Sequence, residues 1–175
     1  AARTILPRGI GPFRSVDRNR HDRVMTPASL SHLVLIPSYN PGSRVIDTVL
    51  AARRQWNPVW IVVDGSTDDS PRQLQAMATT DDGLHVIVLP ENRGKGAAVL
   101  EGITRAVAAG YTHALTMDSD GQHPADLIPA FMDVSQAHPE AMVLGKPVFA
   151  ADAPALRVNG RKVSNGWANL ETLWM

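Results

Sequence analysis

"VWIVVDGSTDDSP", residues 59–71, passes from an unbroken apolar and β-branched run into an acidic, hydroxyl-rich turn and then into Ser-Pro. Such a run, with no polar alternation, reads as a strand covered on both faces. Ser70 and Pro71 suit an N-cap and a first helical residue, so a short helix carrying Leu74 and Met77 should follow. A doubly covered strand leading into a helix is the repeating unit of a parallel sheet wound with helices.

The same grammar recurs on either side. "LVLI" (33–36), "HVIVL" (85–89), "THALTM" (112–117) and "AMVLG" (141–145) read as further strands, giving five in all. Residues 43–56 read as a helix with Ser43 as N-cap and Val45, Ile46, Val49 and Leu50 on one face, stopped by Asn57 and Pro58. Residues 96–109 predict a helix burying Val99, Leu100, Ile103 and Val107 and ending at Gly110. Another helix is expected from about Asp126, with Leu127, Phe131 and Val134 inward. The expected fold class is therefore α/β: a mostly parallel, Rossmann-like sheet with helices on both faces.

The length of 175 residues suits one domain. Seventeen basic and seventeen acidic residues cancel, and nothing in the total charge argues for a nucleic-acid partner. The charge is unevenly placed, because Arg3, Arg8, Arg14, Arg18, Arg20 and Arg23 crowd the first 24 residues and leave the remainder mildly acidic. Those 24 residues are expected to be a basic extension, and 25–175 the folded domain. No cysteine is present, so neither a disulfide framework nor a thiolate site is available. No apolar run approaches the roughly 18 residues of a membrane span. Trp167, Leu170, Leu173 and Trp174 could form one amphipathic face near the end of the chain.

Four polar loops follow the first four strands: "PSYNPG", "DGSTDDS", "PENRGKG" and "DSDGQHP". In an open parallel sheet the carboxyl ends of the strands share an edge, so these loops converge on one crevice. In an extended stretch, Asp118 and Asp120 would point to one side and could share a small cation, with Gln122 adding a neutral oxygen. Hard oxygen donors beside a phosphate suit Mg²⁺ or Mn²⁺. Turn chemistry alone also favours Asp, Ser and Gly there. His123 could reach the same ion or cap the next helix. "ENRGKGAAV" is neither a Walker loop nor the dinucleotide fingerprint. It remains either a weak anion site at a helix N-terminus, with Arg93 and Lys95 beside it, or a solvated surface turn. Ser66, Thr67, Asp68 and Asp69 are expected to satisfy helix-start N–H groups.

Taken in order, "LIPSYN" (35–40), "IVVDGSTDD" (61–69), "ENRGKGAAVLEGI" (91–103) and "MDSDGQHP" (117–124) resemble the family-two nucleotide-sugar glycosyltransferases of the GT-A fold, in the branch similar to dolichyl-phosphate mannosyltransferase. The resemblance implies an inverting, metal-dependent transfer from a UDP- or GDP-sugar to a lipid-linked or glycan acceptor. It also implies a cytoplasmic enzyme with peripheral contact at the inner face of a membrane, serving cell-envelope glycan or glycolipid synthesis. By position, Pro37, Tyr39 and Asn40 would line the nucleotide pocket, and Asp64 would meet base or ribose. Lys95, Asp118 and Ser119 would line the donor pocket, Asp120 with Gln122 would bind Mg²⁺ or Mn²⁺, and Lys95, Asp118 and Asp120 would be catalytic. Arg161 and Ser164, in "GRKVSN" (160–165), would serve the acceptor or diphosphate. Pro41 replaces a customary acidic residue, and Asp64 stands alone where the family often has a pair. Family members continue beyond the equivalent of Met175, so a truncated domain is expected. Two other readings remain open. One is a nucleotide-sugar-binding module without transfer activity. The other is a nucleotidyltransferase, against which the lack of basic residues in "PSYNPG" counts.

Overall fold

The computed structural model describes residues 27–145. The N-terminal extension, Arg161, Ser164 and the Trp167–Trp174 face lie outside the described residues. Four strands form one parallel sheet: β1 His32–Ser38, β2 Val59–Asp64, β3 Leu84–Leu89 and β4 His113–Thr116, in the order β3-β2-β1-β4. The helices α1 Arg44–Gln55, α2 Ser70–Ala78 and α3 Lys95–Ala108 join successive strands. A 3₁₀ turn at Ala125–Leu127 then leads into α4, Ile128–Ala137.

The central strands β1 and β2 are buried along their whole length, as their unbroken apolar runs demand. Their alternation divides the core in two. Val34, Ile36, Val59, Ile61 and Val63 face Val45, Val49 and Ala52 of α1, Leu74 of α2, and Ile128 and Met132 of α4. Leu33, Leu35, Trp60 and Val62 face Ala98 and Ala106 of α3. Helices thus cover both faces, in the α/β, Rossmann-like arrangement expected.

Several details differ from the sequence reading. Helix α3 does not bury Leu100 and Val107, which are 65% and 64% exposed; it turns Ala98, Gly102 and Ala106 to the sheet instead. The small stripe lets the helix backbone close on the strands, since a methyl group at Gly102 would stand only 2.6 Å from Leu35 Cδ1. Close approach of the whole helix outweighs burial of Leu100, Val107 and Ile103, the last 38% exposed. Likewise α4 buries Ile128 and Met132, while Leu127 and Val134 are 39% and 42% exposed. Residues 141–145 form no strand: Ala141 N–H closes a turn onto His138 O at 3.0 Å, no described strand pairs with the segment, and Met142 and Leu144 stand exposed. An apolar run becomes a strand only when a neighbouring edge takes its hydrogen bonds. Ser43 occupies the cap position of α1 but makes no side-chain capping bond, and α2 begins at Ser70 with Asp69 in the cap position.

The described residues fall into two compact units, divided within α4 after Met132. The first contains the sheet and its four loops. The second, among the described residues, holds the end of α4 and the turn that follows, where His138 N–H donates to Val134 O at 3.0 Å.

Candidate active site

Every strand of the sheet delivers a polar loop to the same edge, and the loops are tied in series. Asn40, at the tip of β1, adopts a left-handed φ of 43°. Its Oδ1 accepts the N–H groups of Thr67 at 2.7 Å and Asp68 at 3.3 Å, while its own N–H donates to Ser66 Oγ at 2.9 Å. Asp68 returns the tie, accepting Gly42 N–H at 2.9 Å and the Ser70 N–H and hydroxyl at the start of α2. Burial raises the pKa of Asp68, but these hydrogen bonds from Ser70 and Gly42 outweigh it and hold the carboxyl below its ordinary value. The cap expected of this acidic cluster therefore comes from Asp68. Asp69 instead binds Arg72 and Gln73, and the Arg72 hydrogen bond lowers its pKa to about 2.

Asp64 connects the second loop to the third. It is 2% exposed, and its two oxygens accept the N–H groups of Arg93 at 3.0 Å and Gly94 at 2.8 Å. Next to it, Gly65 holds φ +63°, and a Cβ there would sit 2.2 Å from Asn92 N. The two loop backbones are in contact, and Asp64 clamps one to the other. Its carboxylate lies beneath the loop that delivers Lys95, at the first turn of α3.

Lys95 completes the circuit by pairing its Nζ with Asp118 Oδ1. After Met117 the chain does not stay extended, as the sequence reading assumed; it turns at Ser119 and Asp120, and Gly121 takes φ +76°. The two aspartates thus have different partners. Asp118 is half-buried and salt-bridged, whereas Asp120 is exposed and its Oδ1 accepts its own loop's Gln122 N–H at 3.0 Å. His123 Nδ1 accepts the Asp118 N–H at 3.1 Å, so that nitrogen carries no proton and its lone pair is spent on the loop. Nε2 stands 3.9 Å from Asp118 Oδ2.

The structure thus brings Asn40, Asp64, Lys95, Asp118, Ser119, Asp120 and Gln122 to one edge. Tyr39 presents a half-exposed ring there, but Pro37 is buried inside β1 opposite Val62. Thr48 was missed by the sequence reading: it lies on the buried stripe of α1 and its hydroxyl reaches Ser119 O at 3.1 Å. A hydroxyl among Val45, Val49 and Ala52 was the available signal. No group of three or more His, Cys, Asp or Glu side chains suited to a metal occurs among the described residues. The exposed Asp120 carboxylate and the Gln122 amide are hard oxygen donors. They fit Mg²⁺ or Mn²⁺ completed by phosphate and water oxygens, because Mg²⁺ commonly takes only one or two protein carboxylates.

A wound α/β sheet whose loops gather acidic and basic groups at the carboxyl edge defines a ligand-binding domain of the Rossmann-like class. The family model for glycosyl transferase family 2 matches residues 33–172, and the chain belongs to that family. It is 32% identical over 108 residues to polyprenol monophosphomannose synthase of Mycolicibacterium smegmatis, covering 60% of this chain and 41% of that one. It is 26% identical over 124 residues to dolichol-phosphate mannosyltransferase of Saccharomyces cerevisiae, covering 67% and 45%. An undecaprenyl-phosphate 4-deoxy-4-formamido-L-arabinose transferase of Klebsiella pneumoniae is 32% identical over 111 residues, covering 57% and 32%. The matches span between about a third and a half of these relatives' own lengths. Among the described residues no helix is long and apolar enough to cross a membrane.

Proposed function

We propose that this domain binds a nucleoside-diphosphate sugar at the carboxyl edge of its sheet and transfers the sugar, with inversion, to a polyprenyl phosphate. The observation that carries this reading is the placement of Lys95, paired to Asp118, beside an exposed Asp120 where four loops meet. The half-exposed Tyr39 ring offers a face on which a base can stack. Arg93 and Lys95 supply positive charge for a diphosphate, and the first-turn N–H groups of α3 add to it. Asp64 holds that turn in place from below, so its part is to position the loop.

In such a transfer the hard step is departure of the nucleoside diphosphate, whose charge grows as the bond to the anomeric carbon breaks. A fixed cation near the leaving oxygens lowers that barrier by several kcal/mol. Mg²⁺ or Mn²⁺ held by Asp120, with Gln122, would supply this when bound. A phosphate acceptor arrives already anionic and needs no general base. The names of the relatives, which act on polyprenol, dolichol and undecaprenyl carriers, support this acceptor class. Arg161 and Ser164 are proposed for the acceptor or diphosphate side. A domain acting on a lipid-linked acceptor would meet the membrane from its surface.

The test is calorimetric titration of UDP and GDP, with and without Mn²⁺, into the wild type and Asp120→Asn, followed by turnover assays with UDP- and GDP-sugars and a short-chain polyprenyl phosphate. Metal-enhanced binding that Asp120→Asn abolishes is expected. Binding unaffected by Mn²⁺ or by the substitution would remove the metal role, and binding without turnover would reduce the domain to a nucleotide-sugar-binding module.

A further inference from the structure

Thr48 sits on the stripe of α1 that packs against the sheet, 4% exposed, beside Val45, Val49 and Ala52. A buried hydroxyl is unfavourable unless it is hydrogen-bonded. Its Oγ1 lies 3.1 Å from Arg44 O and 3.1 Å from Ser119 O. Arg44 O is one turn back on the same helix, where the Thr48 backbone N–H already serves as its ordinary helical donor. Ser119 O belongs to a loop 71 residues away, at the peptide joining Ser119 to Asp120. That peptide is planar, so holding its oxygen restricts the swing of the unit from which the Asp120 side chain departs.

We propose that Thr48 is a positioning residue for the acidic loop, holding the Ser119–Asp120 turn so that the Asp120 carboxylate is presented at the donor site; this rests on the donor reading above. The two aspartates have separate anchors. Asp118 is held by Lys95 and by its N–H bond to His123, whereas the Asp120 side chain bonds only within its own loop among the described residues. Thr48 is the tie from the rigid helix to the Asp120 end. The backbone lies close over it, since a Cβ at Gly121 would stand 3.6 Å from Thr48 Oγ1. The same side chain walls a cleft of about 360 Å³ that Asp120, Gly121 and His123 also line. A shift of the turn would therefore move Asp120 toward or away from an open space, with little steric resistance.

The experiment compares the 175-residue wild type with Thr48→Val, which keeps the shape and removes the donor, and Thr48→Ser, which keeps the donor. Amide hydrogen exchange at Asp118 and Gln122, both bonded within the loop, should speed up about threefold to tenfold in Thr48→Val, the scale of one net hydrogen bond. Exchange in β1 should be unchanged, and Thr48→Ser should behave as wild type. The Mn²⁺-dependent part of nucleoside diphosphate affinity should fall by a similar factor in Thr48→Val, while metal-free affinity stays constant; a merely structural role would not separate the two. Unchanged loop exchange overturns the proposal. So does faster exchange with unchanged metal-dependent affinity. If the wild type shows no metal-dependent binding, the donor reading fails and the positioning role falls with it, while the exchange data still decide whether the hydroxyl holds the turn. Should Thr48→Val not fold, Thr48→Ala against Thr48→Ser makes the same comparison.

Discussion

Replacing Asp64 with asparagine changes no volume and removes one acceptor. In the native protein both oxygens are in use, on Arg93 N–H at 3.0 Å and Gly94 N–H at 2.8 Å, and the residue is 2% exposed. An asparagine oxygen can serve one of these donors; its NH₂ group would then face the other, donor against donor. Hydrogen bonds to a charged group contribute about 1.5–3 kcal/mol each, and a buried donor left unpaired costs about 1–3 kcal/mol. The expected loss is about 2–4 kcal/mol, a shift in Tm of roughly 5–15 °C for a chain of this size. Urea unfolding followed by circular dichroism should show a lower midpoint with an unchanged slope, because native burial is otherwise intact. Asp64→Ala, which takes both acceptors away and leaves Gly94 N–H with Asn92 Oδ1 alone at 2.9 Å, should lose at least as much. If Asp64→Asn unfolds within about 0.5 kcal/mol of wild type, the clamp is not what holds the β3–α3 loop, and Asp64 would return to being a candidate for direct contact with the nucleotide.

Gly65→Ala should fail to accumulate as folded protein, since its Cβ would stand 2.2 Å from the backbone at Asn92 in a left-handed conformation; soluble expression and circular dichroism check this. Gly102→Ala should destabilise by about 1–3 kcal/mol through overpacking against Leu35, whereas Leu100→Lys on the exposed side of α3 should stay within about 0.5 kcal/mol, both measured by urea melts. Arg53 holds Asp81 through two hydrogen bonds, of 2.8 and 2.6 Å, and these lower the Asp81 pKa below 3.8. A depressed carboxyl pKa adds stability that is complete above the unfolded value and disappears as pH falls through the folded one. Asp81→Asn should therefore cost roughly 1 kcal/mol at neutral pH, and the difference from wild type should close below about pH 4 in pH-dependent urea melts.

Much of the site was legible in the order of the loops. Strand runs followed by "SYN", "DGSTDD", "ENRGKG" and "DSDGQHP" indicated a parallel sheet with its polar groups at one edge, and that is where the structure puts them. What each residue does there was less legible. Asn40 and Asp64 have side chains suited to a ligand, yet both are engaged in tying one loop to another. Carboxylates and amides bind backbone N–H groups as readily as they bind sugars, and residue type does not tell these uses apart. In α3 both the small and the large apolar stripe have helical spacing, so periodicity could not choose the buried one. Thr48 drew no reading from the sequence, because the loop oxygen it meets lies 71 residues away.

The sequence by itself determined which segments are strands and helices over most of the described chain, that the sheet is parallel, and that acidic and basic loops share its carboxyl edge. These follow from local periodicity and from burial, which act on neighbours along the chain. Tertiary structure alone decided which side of α3 meets the sheet, that residues 141–145 form no strand, that the chain turns between Asp118 and Asp120, and which polar groups brace the loops. The packed side of α3 and the braces between loops are set by partners distant in sequence, 71 residues apart for Thr48 and Ser119, and a hydrogen bond or packed face has no owner until both halves are in place.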